Sequence, residues 1–253
     1  MSVSILTVTQ WSRHESLKIL NDLIRDQTYP HIAEWILVEG SPTAELAHLN
    51  GLLVSAIRNT KCRIRYITDS CIGQPLGTLR QAANDAAVGD IRVVMDDDDY
   101  YPPDRVSHAV ERLTRSSKRL AGCSSMLMYD YGRAELFQFK KIASTHSTSS
   151  CMAWKREYTG IYDPTVTTAE ETSFTRGFTE PMVQLDPIKT IIQSSHGTNT
   201  YSKKDLISRS PLLQRLEAAA ITDYIPPAYL DRLVRALKVS NGTGVRSDSN
   251  VRN

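Results

Sequence analysis

The chain has 253 residues, enough for one large α/β domain with or without a small appendage. A hydrophobic share of 41% and a charged share of 23% are those of a soluble globular protein, and a net charge of +2 gives no ground for a nucleic-acid binder. The apolar N-terminal stretch is short, with no basic n-region and no small-residue cleavage site, so a signal peptide is not expected. No window reaches about 18 uninterrupted apolar residues, so no transmembrane helix is expected either. Cys62, Cys71, Cys123 and Cys151 are irregularly spaced without a C-x-x-C pair. They read as reduced, mostly buried thiols of a cytoplasmic protein rather than as a disulfide framework or a zinc site.

In chain order, residues 3–8 predict a strand and residues 15–25 a helix, with Leu17, Leu20, Leu23 and Ile24 forming an apolar stripe at helical spacing. Residues 35–38 predict a second strand, ended by the loop signal Glu39-Gly40-Ser41-Pro42, and residues 63–67 a third. A loop punctuated by Gly73, Pro75 and Gly77 leads into a helix over 78–87, closed by Gly89. Residues 91–95 form a short buried strand, and Asp96-Asp97-Asp98-Asp99 follow at once. Pro102-Pro103 open a helix over 104–115, since proline is tolerated in a first helical turn. Strands are expected over 121–129 and 134–139, with a hairpin around Tyr131-Gly132, then a short helix over 169–178. Two amphipathic helices are expected at 212–223 and 228–239, before a polar tail. This alternation argues for an α/β domain with a largely parallel central sheet.

The aspartate run is the centre of the functional reading. Successive strand side chains alternate in direction, so Asp96 and Asp98 project together if the extended geometry persists. Adjacent carboxylates repel, and a divalent cation relieves that repulsion. Oxygen ligands suit Mg²⁺ or Mn²⁺ rather than Zn²⁺, and such ions complete their shell with water and substrate phosphates. The bland alternative is a solvated acidic loop. The apolar strand before the run, and Tyr100-Tyr101-Pro102-Pro103 after it, speak against a floppy acidic tail.

The stretch from Gly89 to Pro103 resembles the DxD region of GT-A-fold, family-2-like glycosyltransferases, closest to those encoded by large DNA viruses of algae and amoebae. The resemblance runs from Ser4 to Leu206 and is best at 89–103 and 169–200. It implies a Rossmann-like nucleotide-sugar-binding domain over 1–205, a central mostly parallel sheet flanked by helices. A helical extension over 206–240 and a disordered tail over 241–253 would follow. It implies Mn²⁺ or Mg²⁺ held by Asp98, Asp96 and His196, the last within a segment resembling S-H-x-x-N-T. For the nucleotide it implies Thr9 and Arg13 after the first strand, Glu39 reading the base of a UDP- or GDP-sugar, and Arg80, Asp96 and Asp97 near the diphosphate. Arg80 stands in the family's R-N-x-A helix motif, with Gln81 in the asparagine's place; it would bond the diphosphate or orient Asp96. Ala169-Glu170-Glu171 resembles the x-E-D motif. That gives Glu171 the role of general base in an inverting transfer to a glycan hydroxyl, with Glu170 beside it and the acceptor on a glycoprotein as one option.

Each of these residues has an ordinary structural alternative: Arg80 as a helix-surface arginine, the two glutamates as complements to a helix N-terminus, His196 as a buried structural histidine. A metal-dependent nucleotidyltransferase remains an alternative, although the loop Thr9-Gln10-Trp11-Ser12-Arg13 lacks the glycines such enzymes use. So does a non-catalytic sugar-nucleotide-binding domain. Leu230, Leu233 and Leu237, with Arg232, Arg235 and Lys238, would suit a membrane surface, the domain itself, or a second subunit of a homodimer.

Overall fold

The computed structural model describes residues 1–68, 70–197, 199, 207, 210–217 and 220–239. The expected tail over 241–253, and Thr198 and Thr200 of the S-H-x-x-N-T segment, lie outside the described residues.

Seven strands form the main sheet in the order β3-β2-β1-β4-β8-β5-β9: β1 Val3–Thr9, β2 Ile32–Glu39, β3 Arg63–Ile67, β4 Ile91–Val94, β5 Leu120–Gly122, β8 Ala153–Lys155 and β9 Met182–Gln184. The four strands from β3 to β4 are mutually parallel, and β8 runs antiparallel to both β4 and β5. A second sheet of four strands has the order β10-β6-β7-β11: β6 Leu127–Asp130, β7 Glu135–Phe139, β10 Ile192–Ser195 and β11 Leu213–Arg215. From β1 the chain steps to β2 and β3 on one side, then returns to place β4 on the other. The point where strand order reverses leaves a crevice at the carboxyl ends of β1 and β4, where open α/β sheets bind ligands.

The helices are α1 His14–Arg25, α2 Ala44–Ala56, α3 Leu76–Ala86, α4 Arg105–Thr114, α5 Glu171–Phe174 and α6 Pro227–Val239. The predicted stripe of α1 is buried at Leu17, Leu20, Leu23 and Ile24. Helix α2 is missing from the periodicity because its apolar residues point all round: Ala47 and Val54 are buried, while Leu49 and Leu52 are 40% and 55% exposed. Strand β2 starts earlier than its apolar core suggests. It carries buried Glu34, whose carboxylate accepts from Ser4 Oγ at 2.5 Å, Val88 N at 2.8 Å and Arg65 Nη1 at 2.9 Å.

Three other expectations are corrected. The single strand over 121–129 is two strands, β5 and β6, in different sheets. At the break, the Cys123 and Ser124 N–H groups donate to Ser147 Oγ and Gln184 Oε1 instead of a ladder. The helix over 169–178 stops at Phe174, because Arg176, Gly177 and Phe178 turn into left-handed conformation (φ 54°, 67° and 59°). The helix over 212–223 is instead β11, antiparallel to β7, followed by a 3-10 turn at Ile221–Asp223. Helix α6 buries Leu233 and Leu237 in the main core, while Tyr229 bonds Asp26, just past α1, at 2.5 Å and Arg232 bonds Asp22 on α1 at 2.7 Å. Among the described residues no helix is long and apolar enough to cross a membrane. All four cysteines are free thiols.

Candidate active site

A cleft of about 340 Å³ opens at the strand-order reversal. Val8 and Thr9 at the end of β1 and Gln10 and Arg13 after it line the cleft, with Gly40 after β2, and Gln74, Pro75, Leu76, Leu79 and Arg80 at the head of α3. Asp96, Asp98 and Asp99 project from the end of β4, and Ser150, Thr167, Gln193 and Asn199 complete the lining. Gln10 and Asn199 lie in the Thr9–Arg13 loop and the S-H-x-x-N-T segment already marked in the sequence, whereas sequence reasoning did not single out Gln74, Thr167 or Gln193. The latter are isolated polar residues whose place depends on how distant loops meet, and no local pattern marks them.

The four aspartates have four sets of partners. Extended backbone ends at Val94, one residue before the predicted end of the strand, and Asp97-Asp98 form a turn. The directions of the side chains are therefore set by their partners rather than by strand alternation. Asp96 takes a two-pronged bond from Arg80, Nη1–Oδ1 2.5 Å and Nη2–Oδ2 2.8 Å, and its N–H donates to the Tyr101 hydroxyl at 2.6 Å. Asp97 is buried and accepts from Arg13 Nη1 at 3.0 Å. Asp98 Oδ2 lies 3.3 Å from the same Nη1 and 3.2 Å from His196 Nε2. Asp99 accepts the Ser194 N–H at 2.7 Å, fastening β10 to the aspartate turn. Burial pushes the Asp97 carboxyl up against the pull of Arg13, and the aspartates hold the Arg13 guanidinium firmly charged.

Arg80 joins two halves of the site. While its two terminal nitrogens hold Asp96, its Nε donates to Glu170 Oε1 at 3.2 Å. Glu170 and Glu171 stand at the head of α5, directly after Ala169, whose φ of 55° is left-handed. A non-glycine residue there costs on the order of 1–3 kcal/mol, the kind of strain found at functional turns. Burial, and then the charge of Glu170, raise the Glu171 carboxyl from its ordinary 4.5 to about 7. A base with that value is matched to proton abstraction near neutral pH.

Glu39 does not face the cleft. It is fully buried, with Oε1 accepting from Ser41 N at 2.6 Å and Oε2 from Asn50 Nδ2 at 2.6 Å and from the Tyr66 hydroxyl. The cleft wall at this point is Gly40. A Cβ on Gly40 would stand 2.8 Å from Leu79 Cδ1 and 3.3 Å from Thr9 O, so glycine lets the loop pass between β1 and α3.

Asn199 Oδ1 accepts the His196 N–H at 2.7 Å, which orients its amide so that Nδ2 donates to His196 Nε2 at 3.0 Å. Nε2 also lies 3.2 Å from Asp98 Oδ2, and it has one lone pair in the ring plane, so it would ligate an ion beside that oxygen by giving up the Asn199 bond. Among the described residues no cluster of three or more His, Cys, Asp or Glu could hold a metal. One carboxylate and one imidazole fit an Mn²⁺- or Mg²⁺-type ion that takes its remaining oxygens from water and a diphosphate.

The fold belongs to the GT-A class of glycosyltransferases. It matches the structure of S. aureus TarS 1-349 in complex with UDP-GlcNAc, with a TM-score of 0.60 and 13% identity, over 79% of this chain and 60% of that one. It also matches the mannosyltransferase PcManGT of Pyrobaculum calidifontis in complex with GDP-Man and Mn²⁺, with a TM-score of 0.57 and 13% identity, over 96% of this chain and 75% of that one. The chain thus spans less than two thirds of the TarS 1-349 chain. Comparison with curated proteins gives no match. The profile of glycosyl transferase family 2 matches residues 11–159, more than half of the chain, and the protein belongs to that family.

Proposed function

We propose that the protein transfers a sugar from a nucleoside-diphosphate sugar, UDP before GDP, to a glycan hydroxyl with inversion, using Mn²⁺ or Mg²⁺. The observation that carries this reading is the Arg80 bridge, which ties Asp96 of the aspartate turn to Glu170, the neighbour of Glu171. The fold neighbours crystallised with UDP-GlcNAc and with GDP-Man and Mn²⁺ support the donor class.

In this reading Asp98 and His196 hold the ion, with Asp96 steadied beside them by Arg80. When bound, the ion supplies positive charge to the diphosphate leaving group. Thr9, Arg13 and Gly40 receive the nucleotide, and Glu39 shapes that wall through Ser41, Asn50 and Tyr66. Glu171 takes the proton of the acceptor hydroxyl, whose oxygen attacks the anomeric carbon. The bond to the diphosphate breaks with its electron pair leaving on the diphosphate oxygen. Kinship with enzymes of large DNA viruses, work in a host cytoplasm, and an acceptor on a glycoprotein belong to the same reading. They rest on the resemblance at 89–103 and 169–200.

The test is hydrolysis of UDP- and GDP-sugars with and without Mn²⁺, water standing in for the acceptor. Asp98→Ala should abolish the Mn²⁺-dependent rate while the far-UV circular dichroism stays unchanged. A variant as active as the wild type would refute the metal assignment.

A further inference from the structure

We infer that Arg13 is a built-in competitor of the divalent ion, so that the ion binds well only when a nucleotide diphosphate draws Arg13 away. The inference rests on the metal reading proposed above and concerns a residue which that reading gives only to the nucleotide. Its basis is the sharing of one oxygen. Arg13 Nη1 lies 3.3 Å from Asp98 Oδ2, and His196 Nε2 lies 3.2 Å from that same oxygen. A cation bound between Asp98 and His196 must approach Oδ2 at about 2.0–2.2 Å. It would then sit beside a guanidinium whose charge the aspartates reinforce. Two positive charges cannot share that oxygen cheaply in a part-buried site.

Asp97 explains why Arg13 stands there. It is the aspartate least open to the cleft, 1% exposed, and its Oδ1 holds Nη1 at 3.0 Å. Asp97 anchors Nη1 independently of Asp98, so Nη1 can exchange Asp98 for a phosphate oxygen and keep its hold on Asp97. Arg13 also lines the cleft, and a guanidinium pairs readily with phosphate. The diphosphate thus does two things at once: it offers the ion further oxygen ligands, and it gives Arg13 a second anionic partner. Ion and nucleotide then raise each other's affinity by the same factor, because binding linkage is reciprocal.

The experiment is calorimetric titration of the full chain with MnCl2, alone and with saturating UDP or GDP. The wild type should bind Mn²⁺ alone on the order of tenfold or more weakly than with the nucleotide. Arg13→Met should tighten binding of Mn²⁺ alone on the order of tenfold and shrink the nucleotide's effect on it. Arg13→Lys, which keeps the charge, should stay near the wild type. If Arg13→Met does not melt cooperatively, Arg13→Gln carries the same test, since its amide can still bond Asp97. Unchanged or weaker binding of Mn²⁺ alone in the uncharged variant overturns the competition and leaves Arg13 a nucleotide ligand only. A wild type that binds no Mn²⁺ even with UDP or GDP present would instead remove the metal site itself, and the inference with it.

Discussion

At the scale of single residues, identical side chains do unlike work because of what each one touches. Asp96 belongs to Arg80, Asp97 to Arg13, Asp98 to the space before His196, and Asp99 to the backbone of Ser194. The sequence made the run conspicuous, but the partners of its carboxylates lie between 16 and 98 residues away, beyond any local pattern. Glu171 is the residue whose chemistry can be read most directly. Its carboxyl is raised to about 7, so with Glu171 as the proposed base the transfer rate should rise with pH through that value. Glu171→Gln should lower kcat by about 10²–10⁴-fold and abolish that limb of the profile, while the Kd for UDP moves little. The same shift acts on stability with the opposite sign. A carboxyl whose folded value exceeds its unfolded 4.5 favours the native state fully below 4.5, and that contribution is lost as pH rises through 7. The Gln variant should therefore gain Tm relative to the wild type at pH 8 but not at pH 4. Equal differences at both pH values would show that burial does not set the Glu171 proton affinity.

At the scale of elements, helix α3 carries the site's central arginine and is fastened at its head to the loop that precedes the two glutamates. Gly77 N–H donates to Val166 O at 2.9 Å, Thr78 Oγ1 to Pro164 O at 2.8 Å, and Tyr162 N–H to Gln81 Oε1 at 3.0 Å. A Cβ on Gly77 would fall 1.8 Å from Asp163 O, a backbone atom that cannot step aside. Replacing a helical glycine by alanine ordinarily stabilises by roughly 0.5–1 kcal/mol. Gly77→Ala should do the reverse, costing about 1–3 kcal/mol as the helix is pushed off the loop, and kcat should fall because Arg80 moves with it. A raised Tm would show that the loop yields freely. Helix α1 was legible from the helical spacing of its apolar residues, and β1 and β4 from short apolar runs rich in β-branched residues. Helix α2, with leucines on its exposed side, and the three-residue strands β8 and β9, too short to have a period, were not. Glu39 stood out in the sequence as the carboxylate ending β2, but its contacts did not, because Asn50 and Tyr66 reach it from α2 and β3.

At the scale of the whole molecule, α6 ties the end of the chain to its beginning. Tyr229 packs at 6.1 Å from Tyr100, the residue directly after the aspartates, and bonds Asp26 at the end of α1. Leu233 and Leu237 are 1% and 2% exposed within the same core as Leu17, Leu20 and Ile24. If this helix were an appendage, trimming its core side chain would leave the melting of the rest untouched. If it is part of one cooperative unit, Leu233→Ala should cost about 2–5 kcal/mol, the usual penalty for a buried leucine that leaves a cavity. In a domain of this size that lowers Tm by roughly 5–15 °C in a single transition. Calorimetry decides between the two: a second, earlier transition with the main one unmoved would make α6 a separate unit. Nucleotide and Mn²⁺ should still raise the Tm of Leu233→Ala about as much as that of the wild type. Stabilisation by a ligand depends on its affinity for the native site, and Leu233 is not among the residues that line the cleft.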